Sequence, residues 1–166
     1  MATVLDITPA SDAELVIARL IGAPRAAVWR CWTEADLLKQ WFCPRPWTVP
    51  EASFDLKPGG RMNTLMAGPD SERIENIGVW LEITPQESLT FTDAYSEGFI
   101  PRADSFMTGY VRLSDEPGGG TRMIWGARHK SAEDARRHLE MGFEQGWSAA
   151  AQQLEDLAKT LRDLNP

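Results

Sequence analysis

Toward the end of the chain, apolar positions recur at steps of three and four. From Ser131 to Leu161, the residues Leu139, Phe143, Trp147, Ala150, Leu154, Leu157 and Leu161 share one face of a helix of about thirty residues. Arg136, Arg137, Glu140, Glu144, Gln152, Glu155 and Lys159 fall mostly on the other face. Ser131, ahead of Glu133 and Asp134, offers an N-cap oxygen and two acids at the positive end of that helix. Upstream the period changes to two. The stretch ELVIARLI from Glu14 reads as a strand that Gly22-Ala23-Pro24 ends. Pro24 opens a helix in which Val28, Trp29 and Trp32 fall at helical spacing, and ADLLKQW starts a second short one at Ala35. Alternating stretches follow around Phe54 and Leu56, from Arg61 to Ala67, from Arg73 to Thr84 and from Leu89 to Tyr95, each separated by Pro/Gly-rich turns. Gly78 breaks the third of these in the manner of a bulge or a close backbone contact. After a looser segment, Ser96 to Asp104, the stretches from Ser105 to Ser114 and from Thr121 to Arg128 pair as a hairpin.

That order predicts an α+β fold. An antiparallel sheet apolar on one face must bury that face, and the closing helix is the element able to cover it. The expectation is a seven-stranded curled antiparallel sheet around a long C-terminal helix, with two short helices after strand one. Residues 1–166 read as a single domain whose residues 1–12 form a flexible polar lead. Gly142 and Gly146 interrupt the long helix at roughly 1 kcal/mol each. Either the helix approaches the sheet closely there, or the missing side chains leave room for a ligand beside Phe143 and Trp147.

Composition narrows the function. A net charge of −7 with no Lys/Arg stripe excludes a nucleic-acid partner. No apolar run is long enough for membrane insertion, and residues from Met1 to Ala13 hold no signal-like core, so a cytoplasmic location is expected. Cys31 and Cys43 are too few for a disulfide framework and lack a second Cys/His pair at metal-ligand spacing; reduced thiols, no metal and no cofactor are expected. No G-x-S-x-G is present. His129 and His138 lie in different elements with no acid at an evident spacing; His129 reads as solvated and His138 as exposed or partly buried.

Seven tryptophans and six methionines can line a cavity as well as fill a core. Trp41, Phe42, Met107, Trp125, Phe143 and Trp147 are the candidate lining residues. Asp93 joins them, because strand alternation points it inward with Leu89 and Phe91. A carboxylate buried there needs a partner, such as Arg128 or Arg102, or a ligand.

Several pieces then fall in a recognisable order: Ala23-Pro24 with Val28-Trp29 and Trp32-Thr33; Leu38 with Trp41 and Pro44; Asp55-Leu56-Lys57-Pro58-Gly59-Gly60; Gly78 with Glu82-Ile83 and Pro85; Leu89-Thr90-Phe91-Thr92-Asp93; Gly120-Thr121-Arg122; and Gly142 with Gly146-Trp147 and Leu154. In these the chain resembles bacterial homologues of the activator of heat-shock-protein-90 ATPase, a branch of the START-related, polyketide-cyclase-like and birch-pollen-allergen-like superfamily. The resemblance implies the helix-grip fold and a ligand-binding domain. Relatives bind sterols, lipids or polyketides, or catalyse cyclisation in the same cavity. The leading expectation is therefore binding of a small hydrophobic or aromatic molecule between the C-terminal helix and the sheet. A cyclase, dehydratase or hydrolase using that cavity is the alternative, so enzymatic activity stays open. A chaperone ATPase regulator comes third, implied by the family's name alone. Aromatics near Trp47 and the sheet edge leave a homodimer open.

Overall fold

The computed structural model describes residues 2–164. Two strands, β1 (Thr3–Leu5) and β2 (Glu14–Ile21), precede the helices α1 (Arg25–Thr33) and α2 (Ala35–Leu38). Then come β3 (Thr48–Phe54), β4 (Met62–Ala67), β5 (Arg73–Asn76), β6 (Val79–Thr84), β7 (Ser88–Thr92), β8 (Tyr95–Ser96), β9 (Ile100–Pro101), β10 (Thr108–Asp115) and β11 (Thr121–Arg128). The helices α3 (Ala132–Glu140) and α4 (Phe143–Leu164) close the order. Strands pair antiparallel in the order β1-β2-β11-β10-β7-β6, with β3-β4-β5 as a second sheet. The two sheets are stitched where the Met62 amide donates to the Gly78 carbonyl (2.9 Å) and the Trp80 amide to the Gly60 carbonyl (3.1 Å). Together they form one large curved surface, and α4 lies across it with Ala150, Ala151, Leu154, Ala158 and Leu161 buried. This is the α+β, helix-grip arrangement the sequence predicts.

Its details depart from a seven-strand count. The expected polar lead contains β1, whose Val4 sits opposite Arg19 of β2, so the two short helices follow the second strand. The Ala2 amide also donates to Gln152 Oε1 at 2.7 Å, tying this end of the chain to α4. The long strand expected from Arg73 to Thr84 divides into β5 and β6 at Gly78. An added Cβ there would collide with the Thr92 carbonyl oxygen, so glycine lets the backbones of two strands meet. The segment after Thr92, expected to be loose, holds the small β8-β9 hairpin.

The single closing helix is in fact two. Gly142 takes a left-handed backbone with φ of 98°, which ends α3 in the manner of a C-terminal glycine, and α4 begins at Phe143. The break resets the helical phase. Ser131 does cap α3, its Oγ accepting the Asp134 amide at 3.1 Å, but α3 buries Ala135 and His138. Leu139, assigned to the apolar stripe in a continuous helix, is 43% exposed.

Candidate functional site

Four tryptophans from three elements and the α2–β3 turn meet under α4. Trp32 of α1 stands edge-on to Trp41 (centroids 4.7 Å apart) and to Trp125 of β11 (5.1 Å). Trp125 in turn stacks on Trp147 of α4 at 4.2 Å and 21°. Phe143 lies 4.4 Å from Trp147, and Phe42 packs against Trp32, Trp41 and Trp125. Met107 is half-buried against the same cluster. The fold thus brings six of the seven candidate residues, Trp41, Phe42, Met107, Trp125, Phe143 and Trp147, to one aromatic interior.

The polar bookkeeping of that interior is uneven. Trp41 Nε1 donates to the Cys31 carbonyl at 2.9 Å. The buried indole N–H groups of Trp32, Trp80 and Trp125 have no hydrogen-bond partner among the described residues. Native interiors pair nearly all such donors, so three in one cluster are informative. The surroundings of the two glycines differ from the sequence expectation. Phe143 is buried and Trp147 half-buried alongside them, an added Cβ at Gly146 would meet only Pro44 at 3.8 Å, and one at Gly142 would meet nothing within 4 Å. Neither glycine presses on the sheet. Among the described residues, clefts of about 300, 420 and 380 Å³ open on the surface, and none of these is lined by Trp32, Trp125, Phe143 or Trp147.

Asp93 stands apart from the aromatics, just past the end of β7. Its carboxylate accepts the Phe106 amide on both oxygens (2.9 and 2.8 Å), the Ser105 hydroxyl (3.0 Å) and the Met107 amide (3.3 Å). The cationic partners considered from sequence are engaged elsewhere: Arg102 donates to the Ile77 and Asp93 carbonyls, and Arg128 pairs with Glu14. Asp93 also lines the cleft of about 300 Å³, with Arg102, Lys130, Asp134, Arg137 and Phe106 on the other walls.

Sequence reasoning missed the two histidines. Both are 8% exposed, and His129 Nε2 lies 2.9 Å from His138 Nδ1, while His129 Nδ1 lies 3.0 Å from the Ala13 carbonyl oxygen. Burial, then the neighbouring His129, pushes His138 down to about 4. The pair borders the aromatic interior: the His138 ring is 5.2 Å from Phe143 and 5.8 Å from Trp147. The available signal was a three-residue spacing from Ala135 to His138, hidden by the assumption of one unbroken helix. Among the described residues no group of three or more potential ligands could hold a metal ion.

A long C-terminal helix gripped by a curved antiparallel sheet defines the START-like, polyketide-cyclase-like class. Within it the chain belongs to the family of activator of Hsp90 ATPase homolog 1-like proteins, which matches residues 22–159. A crystal structure of a Nitrosomonas europaea protein is similar at 35% identity, covering 92% of this chain and 98% of that one, with a TM-score of 0.88. A Mycobacterium smegmatis protein is similar at 28% identity over 93% of this chain and 96% of its own, with a TM-score of 0.76. A Rhodobacter sphaeroides protein, 20% identical over 93% and 98% of the two chains, shares the fold with a TM-score of 0.80. No curated protein matches the chain. No described helix is long and apolar enough to cross a membrane.

Proposed function

We propose that the chain is one START-like domain that binds a small hydrophobic or aromatic molecule in the cytoplasm, in the interior between α4 and the sheet. The observation that carries this reading is the set of three buried, unpartnered indole N–H groups at Trp32, Trp80 and Trp125. Each such donor costs about 1–3 kcal/mol when left without an acceptor. A molecule with an apolar body and one oxygen acceptor would repay part of that cost while burying its surface at roughly 25 cal/mol per Å². Trp41, Phe42, Met107, Trp125, Phe143 and Trp147 would line its place, and Trp147, half-buried on α4, would shift to admit it. Asp93 contributes by holding the 105–107 segment at the rim. The test is a titration of the protein with a panel of aromatic and alicyclic compounds, read by tryptophan fluorescence and native mass spectrometry. One-to-one binding that Trp147→Ala weakens at least tenfold is expected; no binding across the panel, with none co-purifying from the native host, overturns the reading.

Catalysis in the same interior is the second reading, and His138 favours it. A neutral, buried imidazole beside the aromatic cluster is suited to proton transfer. Turnover of any bound compound that His138→Gln abolishes without weakening binding would establish it.

A further inference from the structure

With one proton on each ring, the hydrogen bonds of the histidine pair fix where those protons sit. A backbone carbonyl only accepts, so His129 Nδ1 carries the proton of the 3.0 Å contact with Ala13. Neutral His129 then presents Nε2 as an acceptor, and His138 Nδ1 donates to it across 2.9 Å. With both protons placed, His138 Nε2 is a lone pair that has no hydrogen-bond partner among the described residues. The chain of bonds is directional, and its outward end can only accept.

What surrounds that end is aromatic. Phe106 lies 4.7 Å from the His138 ring, Phe143 5.2 Å and Trp147 5.8 Å. Phe106 is itself 37% exposed and touches both imidazoles on one side while lining the cleft of about 300 Å³ on the other. Its ring is therefore the partition between an open cleft and the histidine pair. The backbone that carries it is clamped by Asp93, so the partition turns about a fixed point.

We propose that His138 Nε2 is the hydrogen-bond acceptor for the hydroxyl group of a phenol-type aromatic molecule, which reaches the interior from the cleft when the Phe106 ring swings aside. The proposal rests on the receptor reading above and deepens it by naming the ligand's chemistry. A carbonyl or carboxylate would set a lone pair against a lone pair and is rejected at this position. A cationic amine would bury a charge among apolar rings and is disfavoured for that reason. A phenolic oxygen suits both halves of the interior, since it donates to the imidazole and can accept from an indole N–H.

The experiment compares 2-naphthol with naphthalene, two probes of nearly equal shape that differ by one hydroxyl, titrated into the full-length protein at pH 7.5. Naphthol is expected to bind about tenfold more tightly, as one added hydrogen bond allows. The His138→Phe variant, checked for folding by circular dichroism, is expected to bind both alike. On the unmodified protein, the ¹⁵N resonance of His138 Nε2 is expected to move on addition of naphthol and to stay in place with naphthalene. That measurement decides the matter if the variant does not fold. Equal affinity for the two probes, or a stationary Nε2 resonance with naphthol bound, overturns this proposal and leaves the receptor reading standing. Binding of neither probe overturns this proposal as well, while the receptor reading falls only if the whole panel also fails to bind and nothing co-purifies.

Discussion

Asp93 shows how one carboxylate can organise a rim. Three donors from the consecutive residues Ser105, Phe106 and Met107 converge on it in four hydrogen bonds, so its role is to hold a turn whose outermost ring covers the histidine pair. Asp93→Ala would leave those donors without their acceptor and is expected to lower stability by about 2–3 kcal/mol. Asp93→Asn keeps one carbonyl oxygen and should lose about half as much. Denaturant unfolding measures both, and hydrogen exchange at the Phe106 amide should accelerate more than exchange in the β10–β11 ladder. His138 sets the acid limb of stability. Its folded-state value of about 4 lies below the ordinary 6.5, so protons bind the unfolded chain first. Stability from this group is complete above pH 6.5 and is lost as pH falls from there through 4, by about 3 kcal/mol in total. His129 across the bond is the charged or titratable group that acts on it. Because other groups titrate over part of the same range, the readout is the difference between the wild-type profile and that of His138→Phe, which should fall by about 3 kcal/mol from neutral pH to below 4.

The two glycines of the closing helices look alike in sequence and behave as opposites in the structure. Gly142 has φ of 98°, a backbone that a side chain strains, and Gly142→Ala is expected to cost about 1–2 kcal/mol. Gly146 lies inside α4, where an added Cβ would make an ordinary contact with Pro44 at 3.8 Å. Gly146→Ala should therefore stabilise the protein by up to about 1 kcal/mol, through helix propensity alone. Thermal melts of the two variants should move in opposite directions; a shared direction would show that both glycines serve one packing contact. The same pair marks what periodicity can and cannot give. A three-four pattern running from Leu139 to Leu161 carries across a break when the break happens to preserve spacing, and only the left-handed backbone at Gly142 reveals the change of phase. That single torsion exchanges Leu139, now exposed, for His138, now buried. The strands were more legible, because an inward face of period two survives local irregularity; β10 and β11 pair along their whole length as their alternation predicts. The extra strand β1 was not legible, since TVL is too short to show a period and owes its pairing to the edge that β2 offers.

At the scale of the whole molecule, the aromatic half of the site could be read from sequence because large apolar side chains report burial by their nature. Its polar half could not, because a hydrogen bond between residues of different elements leaves no periodic trace. The core and the corner after α2 can open together or apart, and the two cysteines report on each. Cys31 is fully buried in α1 against the tryptophan cluster, and burial pushes its thiol up to about 12; Cys43, 6% exposed, is pushed to about 11. Neither is reactive in place, so labelling needs an opening that restores ordinary thiol chemistry. For Cys31 that opening is the global one, and its labelling at pH 8 should be slowed at least a thousandfold relative to the unfolded chain, in line with a stability of about 5 kcal/mol or more. Cys43 belongs to a corner that borders the cleft of about 420 Å³. Gln153 of α4 holds this corner through Nε2, which donates to the Trp41 and Cys43 carbonyls at 3.0 and 2.7 Å. Removing those two bonds in Gln153→Ala, with the one its Oε1 accepts from the Arg45 amide at 3.1 Å, should speed the labelling of Cys43 at least tenfold beyond any change at Cys31. Equal acceleration at both thiols would mean that the corner and the tryptophan core form one cooperative unit, and the corner would then have no motion of its own.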